Sequence, residues 1–309
     1  MSNFIVTTTI NKPTEAIYKF SKKKDWKMIV VGDQKTEHNL YKNIRNIIYL
    51  TPEDQINIDK NLSKLIGWNC IQRRNFGYIY AFKLGAKYIA SIDDDNIPSN
   101  KWGEIDIKKK RKIKYFNTRN IAFDPLSIFE TNEKIWHRGF PLQLIDKRIY
   151  KTNKYKNIFA DIQANLWNGN PDIDAINRLS LREENYKFNN SYYYSSNSYM
   201  PFNSQNTIFS RNVIKNYFLF PFVGRMDDIW ASYYVQSLGY KVIFGPSTVK
   251  QDRNLHNIYT DYKNEIIGYN NNLHLIEKLK VRSRNIKDFL PERSYFAFLR
   301  YKKIMKQPA

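Results

Sequence analysis

Four short apolar, β-rich runs separated by stretches of helical spacing fill the first 95 residues, and this alternation constrains the fold more than any other feature. Phe4 to Thr9 (FIVTTT), Lys27 to Val31 (KMIVV), Asn46 to Leu50 (NIIYL) and Tyr88 to Ile92 (YIASI) read as strands, with helical spacing over Pro13 to Phe20 and Leu62 to Leu84. The order is β-α-β-β-α-β. Nearly continuous apolar strands alternating with helices predict an α/β fold. Its sheet is expected to be mixed, mostly parallel and flanked by helices, with ligands at the carboxyl ends of the strands. Asp33 and the run Asp93-Asp94-Asp95 fall at such ends.

Beyond residue 100 the pattern weakens into mixed α/β sequence. A basic run covers Lys108 to Lys114 (KKKRKIK), and polar, aromatic-rich sequence covers Asn189 to Tyr199. Arg225 to Leu238 reads as a helix opened by Asp227 and Asp228, since carboxylates favour a helix amino terminus, and Gly239 supplies its stop. Lys241 to Gly245 returns as a strand, and the tail from Asn271 is helical and basic. The expected division is a main domain over 1–270 and a helical basic extension over 271–309.

Composition narrows the function. Fifty Lys+Arg against 29 Asp+Glu give +21, a surface that attracts anions: nucleic acid, anionic lipid or the phosphates of a nucleotide. A solvated lysine-rich surface without a dedicated partner gives the same total. One cysteine, Cys70, excludes an intramolecular disulfide and a multi-cysteine zinc site. No run reaches the roughly 18 to 20 apolar residues of a membrane span. The amino terminus also lacks a signal-peptide layout, so the expectation is a soluble, cytoplasmic protein. The mix of aromatics and Lys/Arg from Tyr295 to Lys306 could add peripheral contact with an anionic membrane. No base-reading module is recognisable, which ranks nucleic acid low. Phosphate-loop, Gly-x-Gly-x-x-Gly and Gly-x-Ser-x-Gly motifs are absent from the sequence.

The candidate chemistry centres on carboxylates. Asp93, Asp94 and Asp95 directly after an apolar strand repel one another unless a cation or a hydrogen-bond cage compensates them, and oxygen ligands select Mg²⁺ or Mn²⁺. Asp93 and Asp95 are the expected metal ligands, although three aspartates after a strand also make a solvated turn or a cap. Asp227 and Asp228 offer a general base and its support, or plain helix capping. Arg138, in Arg138-Gly139-Phe140-Pro141, suits a phosphate or sugar contact, as do Arg73 and Arg74, which also fit a solvated helical face. Asn203, Gln205 and Asn206 form an array able to read sugar hydroxyls, or a loop, and the same ambiguity covers Asn168 to Asp174. His256 could reach back as a further metal ligand, or lie on the surface.

Taken in order, VTTTINKPTEAI (6–17), IVVGDQKT (29–36), RRNFGYIYAFKLGAKYI (73–89), DDDN (93–96), WHRGFPLQLI (136–145), WNGNPDIDAINRL (167–179), YMPFNSQNTIF (199–209) and DIWASYYVQSLGY (228–240) resemble the STELLO family of glycosyltransferase-like proteins. More distantly the chain resembles the reversibly glycosylated polypeptides that act as UDP-arabinopyranose mutases. The resemblance implies a GT-A type, Rossmann-like domain over 1–270 in which the acidic motif Asp93-Asp94-Asp95 binds a divalent cation and a nucleotide-sugar diphosphate. Asp33 matches the strand end that meets the nucleotide, Arg138 the arginine glycosylated in the mutases, and Asp227-Asp228 their acidic pair. The mutases' second arginine, seven residues on, is here Ile145.

The leading expectation is therefore a metal-dependent glycosyltransferase. Its donor is a nucleoside-diphosphate sugar, foremost a UDP-sugar, and its acceptor is a glycan, lipid or protein. Asp93, Asp94, Asp33, Arg73, Arg74, Asn203, Gln205 and Asn206 would bind the donor, and Asp228, with Asp227 and Arg138, would act in catalysis. The alternatives are a mutase or self-glycosylating protein acting through Arg138, and a non-catalytic scaffold or anion-binding module.

Overall fold

The computed structural model describes residues 2–129, 135–148, 153–170, 172–180, 185–188, 190–251, 257–281 and 285–307. All the expected strands form, and they join one mixed sheet of 11 strands. These are β1 (Asn3–Thr9), β2 (Trp26–Gly32), β3 (Ile47–Leu50), β4 (Tyr88–Ile92), β5 (Asn96–Pro98) and β6 (Lys110–Phe116). They continue with β7 (Asn153–Phe159), β8 (Ile162–Gly169), β9 (Tyr194–Ser196), β10 (Asn206–Ser210) and β11 (Val242–Gln251). The order is β3-β2-β1-β4-β10-β8-β11-β9-β6-β7, with β5 paired to β11.

The flanking helices are α1 (Glu15–Phe20), α2 (Pro52–Ile58), α3 (Lys60–Ile66), α4 (Arg74–Lys83), α5 (Ala175–Ser180), α6 (Arg211–Ile214), α7 (Asp227–Ser237), α8 (Ile258–Lys280) and α9 (Glu292–Ile304). This is the α/β architecture the alternation implied. The β3-β2-β1-β4 block is parallel throughout and almost wholly buried along β1, β2 and β4, which explains why those strands read as continuous apolar runs.

Strand direction then builds the functional edge. β10 runs antiparallel between β4 and β8, pairing Asn206 with Ile92, so the residues just before β10 lie against those just after β4. β8 consequently points the same way as β4, and β11 runs parallel to β8. The carboxyl ends of β2, β4, β8 and β11 therefore share one edge of the sheet, as sheets of this class place their ligands. Asp33, Asp93–Asp95, Asp172 and Gln251 follow or close those strands, and Asn203–Gln205 enter β10 beside them.

Three expectations change. The apolar stretch Leu62–Leu84 is two helices: α3 stops at Gly67, whose φ of +86° an L-residue adopts only with strain, and a 3₁₀ turn at Ile71–Arg73 leads into α4. The basic run Lys108–Lys114 supplies strand β6, which pairs antiparallel with β7. The expected division at residue 270 falls inside α8, and Leu275, Ile276, Leu279, Ala297, Phe298 and Tyr301 of α8 and α9 belong to the same hydrophobic core as β1 and β2. Arg300 clamps α9 to Asp59 through two nitrogens, at 3.0 and 2.7 Å, and the Tyr301 hydroxyl donates to the Ile214 carbonyl at 2.7 Å. Much of the apolar side that the tail would offer to a bilayer is thus consumed by packing. Among the described residues no helix is long and apolar enough to cross a membrane.

α4 packs on the sheet at Gly77, where an added Cβ would lie 2.4 Å from Val6 Cγ1 and 2.9 Å from Val31 Cγ2. Both neighbours are branched and fully buried, so they have little room to move. Gly77→Ala is expected to destabilise the chain by about 1–3 kcal/mol through overpacking, despite the better helix propensity of alanine. Urea denaturation checks this, and a variant as stable as the parent would show that α4 can lift from the sheet without cost.

Candidate active site

A cleft of about 190 Å³ opens at the shared edge. Five carboxylates line it, Asp93, Asp95, Asp172, Asp227 and Asp228, with two arginines, Arg138 and Arg225. A chain of net charge +21 has thus gathered an excess of negative groups at one point. The volume is below the roughly 300–1,000 Å³ of sites that enclose a whole drug-sized ligand.

Asp93, Asp172, Asp227 and Asp228 are each held by neighbouring polar groups. Arg74, at the start of α4, is 1 % exposed; its Nη2 donates to Asp93 Oδ1 at 2.7 Å while Nη1 donates to Ser204 O and Oγ at 3.1 and 3.0 Å. The Arg74 charge is stabilised by Asp93 despite burial, and its pKa is raised. Asp94 turns the other way and accepts from Thr9 Oγ1 at 2.5 Å and Asn11 Nδ2 at 3.0 Å, so it braces the loop after β1 and does not line the cleft. Asp95 does line it. The three aspartates expected to act together are split by strand-end geometry into two cleft residues and one brace.

Arg138, 6 % exposed, bridges the far side. Its Nε donates to Asp172 Oδ2 at 2.9 Å, its Nη2 to Asp228 Oδ1 and Oδ2 at 3.1 and 3.2 Å, and its Nη1 to the Arg225 carbonyl. Burial disfavours the guanidinium charge, but Asp172 and Asp228 more than compensate and hold the pKa well above its ordinary value. Arg225 in turn donates to Asp172 at 2.9 Å and pairs with Asp261 and Glu265 of α8, each at 2.8 Å. Asp228 also accepts from the Ser204 amide at 2.8 Å.

Asp227 accepts from Gln72 Nε2 at 2.8 Å. Burial, with repulsion from the adjacent Asp228 added, pushes its pKa up to about 7. Beneath the cleft His137 is fully buried against Trp167, and desolvation lowers its pKa to about 4, so it is neutral.

The remaining expected residues separate. Gln205 lines the cleft and bonds Gln251 Oε1 at 2.6 Å and Asn96 Oδ1 at 3.2 Å, and Asn203 donates to Asp172 at 3.0 Å. Asn206 is instead a buried tie between strands: its Nδ2 donates to the Leu166 carbonyl and Thr248 Oγ1, each at 2.9 Å, and its Oδ1 accepts from Trp102. Arg73 is fully buried and lies 3.7 Å from the Trp68 ring centre, with Nε on Gln55 and Nη1 on Ser63 and Gly67. It packs α3, α4 and α2 together and is neither a solvated face nor a cleft residue. Asp33 accepts from the Cys70 and Gln34 amides, at 3.1 and 2.7 Å, beside the cleft and outside its lining. His256 lies outside the described residues, as does Pro171 of the Asn168–Asp174 stretch.

In the sequence Asp172 falls in an ambiguous loop, Arg225 reads only as the start of a helix, and Gln72 and Gln251 stand out in no motif. Only Asp172 carried a usable signal, since its stretch 167–179 is among those that gave the family resemblance.

No known family profile matches the chain. Two proteins of Arabidopsis thaliana are similar to it, "Probable glycosyltransferase STELLO2" and "Probable glycosyltransferase STELLO1", each 23% identical over 277 residues. The matches cover 81% of this chain and 36% and 35% of those proteins, so the chain spans about a third of the length of the curated relatives it matches. The expected relationship, a distant STELLO-like one, is supported.

The Asp227 carboxyl gives the stability a defined pH dependence. An unfolded aspartate releases its proton near ~4, whereas the folded chain keeps it to about pH 7. The folded state therefore holds the extra proton between those values, and stability falls as pH rises through them. Asp227→Asn keeps the Gln72 bond and removes the titration. The parent is expected to lose more stability than this variant between pH 5 and 8 in urea denaturation, and equal losses would refute the assignment.

Proposed function

We propose that this chain is a metal-dependent glycosyltransferase of GT-A type that takes its sugar from a nucleoside-diphosphate donor, foremost a UDP-sugar, and passes it to an acceptor hydroxyl. The observation that carries this reading is the excess of carboxylates at the shared strand edge, one of which, Asp227, keeps its proton up to about pH 7. The distant STELLO relatives, named probable glycosyltransferases, support it.

Among the described residues no group of three or more His, Cys, Asp or Glu is placed to enclose a metal ion. The donor set on the cleft wall is Asp93 and Asp95. That set suits Mg²⁺ or Mn²⁺ shared with a substrate diphosphate, because such ions bind through one or two carboxylates, phosphate oxygens and water. The ion, when bound, supplies charge to stabilise the departing nucleotide. Arg74 fixes the orientation of Asp93 from behind.

In the transfer the bond from the anomeric carbon to the donor phosphate breaks, the electron pair leaves with the nucleotide, and the acceptor oxygen bonds to that carbon as it loses its proton. The sequence favoured Asp228 as the base. Its contacts to Arg138 and Ser204 make it a positioning group instead, and Asp227, with a pKa near neutrality, takes the proton. Self-glycosylation at Arg138 lacks support, since all three guanidinium nitrogens are engaged and the pKa is raised. A scaffold reading leaves the clustered carboxylates without a purpose.

The test is thermal unfolding with UDP-, GDP-, ADP- and CMP-sugars, with and without Mn²⁺. One nucleotide is expected to stabilise the chain only with metal, by about 2.7 kcal/mol at ~100 times its dissociation constant, and Asp95→Ala is expected to abolish the shift. Asp227→Asn should keep nucleotide binding while sugar transfer to acceptor, read as free nucleotide released, slows by about 10²–10⁴. No shift with any nucleotide overturns the proposal.

A further inference from the structure

Away from the acidic cleft, and sharing no lining residue with it, a pocket of about 360 Å³ lies between β6, β9, β11 and the end of α7. A second hollow of about 210 Å³ adjoins it, and the two share Asn197, Ser198, Tyr199 and Lys280. The larger volume falls in the rough 300–1,000 Å³ range of small-molecule sites. The cleft is acidic, but here the charges are of the opposite sign: Lys156, Lys241 and Lys280 line the pocket, Arg119 lines the adjoining hollow, and among the described residues no carboxylate lines either. Asp161, which meets the backbone of the lining Lys241, is taken by Lys108 and by the Lys241 amide at 3.1 Å.

The walls are rings and hydroxyls. Tyr115, Tyr199 and Tyr240 contribute aromatic surface, with Lys156 Nζ poised 4.4 Å from the centre of the Tyr115 ring. The Ser195, Ser196 and Ser198 hydroxyls donate to the carbonyls of Val242, Phe116 and Asn120, which fixes their hydrogens inward to the protein; Ser196 Oγ also accepts from the Ser198 amide at 3.3 Å, and the remaining oxygen lone pairs are left to accept. A ligand is thus met by cations for its negative groups, by acceptors for its hydroxyl donors and by rings for its apolar faces. Together these describe a phosphorylated sugar: an anionic group, several O–H donors and a ring with an apolar face. A free phosphate uses only the cations, and a neutral sugar only the walls.

We propose that this basic, tyrosine-lined pocket binds a sugar phosphate, as a site separate from the acidic cleft. The site stands whether or not the cleft transfers glycosyl groups.

Isothermal titration calorimetry of the full chain with glucose 6-phosphate and glucose 1-phosphate, and with inorganic phosphate and glucose as partial ligands, tests this. At least one sugar phosphate is expected to bind at least 10-fold more tightly than inorganic phosphate, with glucose silent, as cations and walls act together. Lys241→Ala/Lys280→Ala changes two exposed side chains, so the fold should survive, and it should weaken that binding at least 10-fold. Lys22→Ala/Lys24→Ala, in another basic surface pocket, and Asp95→Ala in the cleft should leave it unchanged. Equal binding of inorganic phosphate, binding unchanged in Lys241→Ala/Lys280→Ala, or no binding of either sugar phosphate would each overturn the proposal.

Discussion

Arg138 is held between Asp172 and Asp228, and the geometry of the cleft runs through that contact. A guanidinium this buried has lost most of its hydration, which costs several kcal/mol unless carboxylates replace the water. Asp172 comes from the segment after β8 and Asp228 from the first turn of α7, so the two elements are fixed to each other through one side chain. From Asp228 the contacts pass to Ser204, from Ser204 to Arg74, and from Arg74 to Asp93. Three separate stretches of chain, after β4, after β8 and at the start of α7, therefore present their carboxylates in one constrained arrangement. Such a network is weak evidence for stability and better evidence for a specified geometry.

The electrostatics work on two length scales. Over tens of ångströms the net charge of +21 draws anions to the surface, with a reach set by ionic strength. Inside the cleft the sign reverses: buried carboxylates must be neutralised by arginine, a proton or a cation. Asp93 and Asp228 are met by arginine, and Asp227 by a proton below about pH 7. The same chain keeps a lysine-rich pocket elsewhere, with no carboxylate in its lining among the described residues. The gross charge of this protein therefore matches the sign of that pocket and not the sign of the cleft.

The carboxyl-terminal helices are part of this device. α8 supplies Asp261 and Glu265 to Arg225, and Asn272 of the same helix bonds Trp230 at 2.8 Å and the Gly139 carbonyl at 3.0 Å. Gly139 follows Arg138 in the chain, so α8 braces both arginines. Asn272, at the start of the segment that reads in the sequence as a basic extension, is thus part of the wall behind the cleft.

Residue pattern alone determined the buried parallel strands β1, β2 and β4 and the position of Asp33 and Asp93–Asp95 at strand ends, because burial on both faces enforces continuous apolar runs whatever their neighbours. It also marked Asp227, Asp228 and Arg138 as chemical candidates, since adjacent carboxylates and a turn-borne guanidinium are visible locally. What it could not supply was any pairing between distant stretches. The antiparallel entry of β10 beside β4 sets Ser204 against Arg74 and Asp93, and the parallel match of β8 and β11 brings Asp172 and Gln251 to the same edge. Burial then decided the roles. Arg73 and Arg74 are neighbours of one residue type, yet Arg73 is sealed among α2, α3 and α4 while Arg74 reaches the cleft carboxylate, because side chains one position apart on a helix point in different directions. Asp227 gained its raised pKa in the same way, from desolvation and a neighbouring charge that exist only once the chain has folded.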